Sequence, residues 1–383
     1  MTPRSVREYM IALAPRYRAA DRHEKSRLLD EAEGLTHYHR KALLRLMRPP
    51  LERAPRRRGR PRSYAPAVAE RLAQLWEASD RLCSKRLVPF LPTLIPALER
   101  HQELKLRPAI RAQLLTLSPA TADRLLAPYR ARRRRHPYSQ HLALASLQAQ
   151  IPIRTFSEWA DVTPGAVQAD LVAHCGETTA GFYLSTLLMV DVASAWTTCR
   201  ATWGQRHQYV KSGIGAGRQR LPFPLRELHA DNGGEFLNHA LYLYCQEEGI
   251  HFTRGRPYKK NDQAWAEQRI GLIVRRTVGY DRYGSKAAHQ TLNQLYDRLG
   301  PYVNFFQPVR KLITKQRHGP RTTKRYDRAQ TPYQRLVASG TLDPDTLKQL
   351  EAQFLALNPV TLRTEIYKLL QQLWKLAEPP ARR

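Results

Sequence analysis

A chain of 383 residues with 42% hydrophobic content is too long for one compact core and suits two to four domains. Lys and Arg number 63 against 33 Asp and Glu, a net charge of +30 that calls for a polyanionic partner, nucleic acid first among them. The longest apolar stretches, such as residues 187–190, are far below membrane-spanning length and no leader with a cleavage site appears, so a cytoplasmic protein working at the bacterial nucleoid is expected. Four cysteines, Cys83, Cys175, Cys199 and Cys245, form no Cys-x-x-Cys pair and read as reduced, mostly buried thiols. His37 and His39 lack cysteine partners at zinc-ligand spacing, so the N-terminal region must fold without zinc.

In chain order, residues 1–48 are rich in helix formers. Leu28, Leu29 and Ala32 precede a turn at Glu33-Gly34-Leu35, after which Thr36 suits the N-cap of a helix running to about Met47. That helix would bury Tyr38, Ala42, Leu43 and Leu46 and leave His37, Arg40, Lys41, Arg45 and Arg48 outward. The pattern is that of a helix-turn-helix recognition element, or of a plain basic helical hairpin. Residues 49–66 hold five prolines around an arginine run and cannot bury a core, which makes them a linker. Within it Arg58-Gly59-Arg60-Pro61 resembles an AT-hook core, so Arg58 and Arg60 can enter a minor groove or simply meet phosphates; the same tetrapeptide recurs at 254–257 in a folded setting.

A second helical region spans 67–135. Its prolines at 89, 92 and 96 suggest a kinked packing helix. Near its end Ser118 and Pro119 read as N-cap and first helical residue, with Ala122, Leu125 and Leu126 inward. Arg124 and the run 130–135 are left for phosphate contact. From about 151 the pattern changes to strands. Runs at 166–173, 182–190 and 195–203 form an antiparallel meander, 226–230 is a short buried strand ending at Asp231, 237–248 an amphipathic helix, 251–253 a strand, and 261–278 a helix capped by Asn261 or Asp262. Gly213, Gly215 and Gly217 each cost a helix about 1 kcal/mol, which predicts a frayed or shortened one over 209–220. Asn304 to Pro308 closes the core, 310–328 is basic and turn-rich, and 331–377 returns to helix with a stop at Ser339-Gly340 and a restart at Asp343-Pro344.

Three acids stand out in this frame. Asp170 lies in Gln168-Ala169-Asp170-Leu171-Val172-Ala173-His174, Asp231 in His229-Ala230-Asp231-Asn232-Gly233-Gly234-Glu235-Phe236, and Glu267 in Asp262-Gln263-Ala264-Trp265-Ala266-Glu267-Gln268. Sixty residues separate the first two and 35 the second two. Carboxylates converging on one point bind the hard divalent ions that phosphoryl transfer uses. These strings resemble the D-D-35-E catalytic core of bacterial insertion-sequence transposases and retroviral integrases, over roughly residues 160–310.

The residue patterns give N-terminal all-α helix-turn-helix domains (1–48 and 67–135, joined by the linker 49–66), and with the resemblance the chain is multidomain: a central α/β ribonuclease-H-like core with a mixed five-stranded sheet (151–300) and a C-terminal basic and helical region (301–383) whose basic part would lie along DNA. The resemblance implies a transposase that binds double-stranded DNA at terminal inverted repeats, cleaves 3′ ends and joins them to target DNA. Two Mg²⁺ ions, for which Mn²⁺ can substitute, would be bridged by Asp170 and held singly by Asp231 and Glu267, in a homo-oligomer that pairs two ends. The alternatives are a metal-dependent nuclease of the same superfamily that does not join, and a DNA-binding regulator without catalysis.

Rivals exist for each acid. Asp191, also in an apolar run, is a structural acid if Asp170 is the first-strand carboxylate. Asp262 is better explained as a cap, Glu247 and Glu248 as a solvated helix face, and Glu235 is not counted as a ligand. Lys259 and Lys260 would meet DNA phosphates with Asn261 near the scissile end, or are simply a solvated pair. His174 shares Asp170's strand face by parity and either orients water or packs in the core.

Overall fold

The computed structural model describes residues 1–48, 64–130, 159, 162–256, 260–319 and 321–379. The chain divides into two compact units, Met1–Ser63 and Tyr64–Arg383.

In the first unit, α1 (Pro3–Ala19), α2 (Arg22–Thr36) and α3 (Arg40–Leu46) enclose Val6, Met10, Leu13, Leu28, Leu29, Ala32, Leu43 and Met47. Side chains of Thr2 and Asp21 cap α1 and α2. The expected start at Thr36 is corrected. Thr36 ends α2, with its hydroxyl bonded back to the Ala32 carbonyl, and His37 follows in the left-handed conformation at φ 58°. The third helix begins at Arg40 with His39 as its cap, and Tyr38 is exposed rather than inward.

The second unit opens with α4 (Pro66–Ala78), α5 (Ser84–Arg100), α6 (Pro108–Leu115) and α7 (Pro119–Leu126). Helix α5 runs through Pro89, Pro92 and Pro96 because its buried stripe of Leu87, Phe90, Leu91, Leu94, Ile95 and Leu98 offsets the missing amide donors. Ser118 caps α7 as expected, and Ala122 and Leu126 are buried.

Next comes a five-stranded sheet of β1 (Ala166–Ala173), β2 (Ser185–Asp191), β3 (Thr197–Thr202), β4 (Glu227–Ala230) and β5 (His251–Arg254), in the spatial order β3-β2-β1-β4-β5. β1 pairs antiparallel with β2 and β2 with β3, whereas β1–β4 and β4–β5 are parallel. This mixed topology is ribonuclease-H-like. Every residue of β2 and β4 is buried, as strands covered on both faces require.

Helix α8 (His207–Arg218) is intact, against the expectation of a frayed segment. Gly213 and Gly217 face the sheet. A Cβ at 213 would meet Leu187 and Thr202 carbons at 3.1 Å, and one at 217 the Met189 sulfur at 2.6 Å. The glycines are therefore the condition for close helix-on-sheet packing rather than helix breakers.

Helix α9 (His239–Glu247) connects β4 to β5. After β5 the chain makes a 3₁₀ turn (Lys260–Gln263), α10 (Ala264–Arg269) and a π-helical stretch (Ile270–Arg275), so the helix expected from 261 begins at 264 and changes pitch midway. α11 (Lys286–Phe306) packs on β3, where the Asn304 amide exchanges hydrogen bonds of 2.9 Å with both backbone groups of Thr197. An exposed hairpin of β6 (Leu312–His318) and β7 (Arg321–Tyr326) forms from the basic segment. Helices α12 (Pro332–Ser339), α13 (Pro344–Ala356) and α14 (Pro359–Lys375) complete the unit. Gly340, at φ 63°, and the Asp343 cap supply the stop and restart. No helix among the described residues is long and apolar enough to cross a membrane.

Candidate functional site

The sheet register brings the first two acids together. Val167 stands opposite Leu228 and Gln168 opposite His229 in the parallel β1–β4 pair. Continuing that register by two places sets Asp231, the residue after β4, opposite Asp170. Residues opposed in a parallel pair point to the same face, and neighbouring strands lie about 4.8 Å apart. Asp170 accepts from the Leu171 amide at 2.7 Å, and Asp231 from the Gly233 amide at 2.9 Å in the Asn-Gly-Gly turn that follows it.

One layer beneath, Gln168 fixes the third acid. Its side chain is fully buried, donates to the Asp262 carbonyl at 2.9 Å and accepts from the Ala266 amide at 3.2 Å. Gln263 donates back to the Ala169 carbonyl at 3.4 Å. These three bonds clamp the start of α10 to β1, on the face that Gln168 shares with Asp170, and Glu267 follows in the first turn of that helix.

The electrostatics register the convergence. Burial pushes the Asp170 carboxyl well above the usual range, and Asp231, Glu235 and Glu267 add to the rise as like charges. The carboxylates acting most strongly on Asp170 are thus three of its own sign. A half-buried anion in such company favours either a proton or a cation, and an all-carboxylate donor set fits Mg²⁺ in kind. As the side chains stand, no group of three or more His, Cys, Asp or Glu among the described residues is closed to metal-holding distances.

Glu235 is the residue that sequence reasoning passed over. Its carboxylate folds back over Gly233, where a Cβ would lie 2.6 Å from it, and its charge acts on Asp170. Its position four residues after Asp231 was the available signal. Gln168 was visible only as part of a motif string, since its role depends on a helix 94 residues away.

Other expected site residues fall elsewhere. Asp191 accepts from the Gly165 amide and from the Ser194 amide and hydroxyl, a closed turn that uses its carboxylate structurally. Asp262 does not cap α10; fully buried, it takes a two-pronged ion pair from Arg256 at 2.8 and 2.9 Å. His174 is a core residue, bonded to Thr186 at 2.7 Å and held down to about 3 by burial and the Arg275 charge.

Among the expected DNA contacts, Arg40 is spent on Asp30 and Glu33 of α2. Lys41 and Arg45 remain exposed on α3, and Arg124 is exposed with one bond to Thr121. Arg58, Arg60, Lys259 and the run 131–135 lie outside the described residues, and of Lys260 and Asn261 only the backbone is described. In the basic segment, Lys311 is turned inward onto the Val192 and Ala193 carbonyls, and burial brings its amine down to about 8.

No protein-family model matches the chain. Among solved structures it is similar to the catalytic core domain of BIV integrase (21% identity, 46% of this chain and 95% of that one, TM-score 0.31). It is also similar to a chain of the simian T-cell lymphotropic virus intasome in complex with PP2A regulatory subunit B56 gamma (15%, 65% and 76%, 0.34). A third is the HTLV-2 integrase catalytic core in complex with magnesium (15%, 39% and 92%, 0.30). The uncharacterized protein y4rM of Sinorhizobium fredii is 43% identical over 319 residues, 83% of this chain and 91% of that protein. The chain belongs to the same family as y4rM.

Proposed function

We propose that this chain is a DNA transposase of the D-D-35-E kind, which binds the terminal repeats of its element, cleaves their 3′ ends and joins them to target DNA. The observation that carries the reading is the β1–β4 register, which continued by two places sets Asp231 opposite Asp170, with the start of the Glu267 helix clamped to the same strand by Gln168. The net charge of +30 supports DNA as the substrate.

Asp170, Asp231 and Glu267 are the residues that would hold Mg²⁺, which when bound activates the attacking oxygen and neutralises charge on the pentacovalent phosphorus. The chain's own part is placement. Asp170 on β1 and Asp231 just after β4 each accept a backbone amide, and Gln168 sets the helix that carries the third. The α2–α3 pair, with Lys41 and Arg45 exposed, supports a helix-turn-helix role for the first unit. Pairing two element ends calls for a homo-oligomer.

The test incubates purified chain and Mg²⁺ with a supercoiled plasmid carrying the DNA that flanks the gene. Wild type yields joined products and Glu267→Gln yields none. Nicking without joining would transfer the reading to a nuclease of the same fold, and binding without any metal-dependent cleavage to a regulator. Equal products from wild type and Glu267→Gln would remove Glu267 from the site.

A further inference from the structure

On the far side of the Glu267 helix lies a small cavity of about 40 Å³, walled by the π-helical stretch, α11 and the turn between α4 and α5. Arg86, Arg269, Arg276, Asp80, Leu272 and Tyr302 line it. A depth gradient is built in: Arg269, at 4% exposure, forms the floor, while Leu272, Arg276 and Asp80 reach solvent at the mouth.

Three guanidinium groups face one carboxylate, and that carboxylate is already used. Asp80 takes Arg276 at 2.7 Å and is approached by Arg363 at 3.8 Å. Arg86 donates its Nε to the Pro308 carbonyl at 2.5 Å and pairs with no acid among the described residues. Arg269 gives one bond, to the Ala195 carbonyl at 2.7 Å, and no carboxylate among the described residues pairs with it. A guanidinium carries five N–H donors, so most of Arg269's capacity is not taken up by protein acceptors among the described residues. Burying a cation without a counter-charge is costly, and a fold that keeps two such cations beside one opening has a use for an anion there.

Size and donor geometry narrow the occupant. A water-sized body needs about 10–15 Å³ of such space, so the cavity admits about three, the scale of one tetrahedral oxyanion. Guanidinium groups lining one opening suit phosphate, whose oxygens accept their planar, paired donors.

We propose that this cavity is a phosphate-binding site, with Arg269 at the floor and Arg86 and Arg276 as its walls. It is separate from the three acids. Residues 267 and 269 are two apart, about 200° around the helix, so they lie on opposite faces of α10. The phosphate can be a free inorganic ion or one carried on the DNA backbone.

Thermal unfolding of the full chain in sodium phosphate against sodium chloride, at matched pH and ionic strength, tests this. Phosphate is expected to raise the Tm by several degrees with saturation. Arg269→Met should abolish the rise and increase the Tm in chloride, because it deletes an uncompensated buried charge; a purely structural Arg269 would give the opposite change in chloride. Arg276→Gln at the mouth and Arg86→Gln on the wall should each weaken phosphate binding at least tenfold. A short duplex added to the phosphate titration separates the two sources: competition assigns the site to backbone phosphate, and an undiminished rise assigns it to the free ion. Equal Tm in the two salts, or an unchanged phosphate response in all three variants, would overturn the proposal.

Discussion

Replacing Asp170 by asparagine should stabilise the metal-free protein. The β1–β4 register, continued by two places, sets Asp170 one strand spacing of about 4.8 Å from Asp231, and Glu235 and Glu267 also act on it. At about 5 Å one like-charge pair costs about 3 kcal/mol at an effective dielectric of 20 and under about 1 kcal/mol in water, so a half-buried Asp170 brackets a relief of about 1–3 kcal/mol. Because burial and like charges raise its folded-state pKa, the carboxyl's stabilising contribution is complete below the unfolded value near 3.9 and is lost as pH climbs through the folded value. Wild type and Asp170→Asn should therefore melt together near pH 4 and separate toward pH 8 in EDTA. At about 2–4 °C per kcal/mol the variant should end about 2–12 °C higher. Adding Mg²⁺ should raise the wild-type Tm and leave the variant's unchanged. A variant that melts below wild type at pH 8 in EDTA would refute the like-charge argument.

The helical glycines predict opposite effects two residues apart. Gly215→Ala meets nothing within 4 Å and should stabilise by about 0.5–1 kcal/mol, while Gly217→Ala drives a Cβ to 2.6 Å from the Met189 sulfur and should destabilise by about 1–3 kcal/mol, both read from urea midpoints. Gln168→Ala leaves the Asp262 carbonyl and Ala266 amide without their partner at about 1–3 kcal/mol each, so it should unfold earlier in urea and lose DNA joining although all three acids remain. In salt titrations of DNA binding, Lys41→Ala and Arg45→Ala should each reduce the slope by about one, whereas Arg40→Ala, whose charge is spent on Asp30 and Glu33, should leave it unchanged.

The sheet was legible because its strands carry local signals. The run 166–173 alternates and is bounded by glycine and cysteine-glycine turns, and β4 announces itself by running into Asn-Gly-Gly. What stayed hidden was set by distant partners. The glycine-rich α8 looked weak because propensity counts only the helix's own backbone, while the gain lies in contacts with β2 and β3. Arg40 looked like a phosphate contact because its acids sit 7 and 10 residues earlier across a turn, outside any helical-wheel pairing. His174 had the right parity for the Asp170 face, but it lies past the end of β1, where Thr186 and Tyr283 enclose it. Asp262 read as a cap because its position suited one, and only the fold revealed Arg256 beside it.

The clamp between Gln168 and the residues at 262 and 266 also orders events during synthesis. A ribosome-bound chain that has emerged only as far as residue 256 can pair β1 with β4 and present two aspartates, yet it lacks both the third carboxylate and the segment that closes over the strand. The acidic cluster is complete only once the last of its contributors has left the exit tunnel, so incomplete translation products and fragments clipped between 231 and 262 carry an unassembled centre.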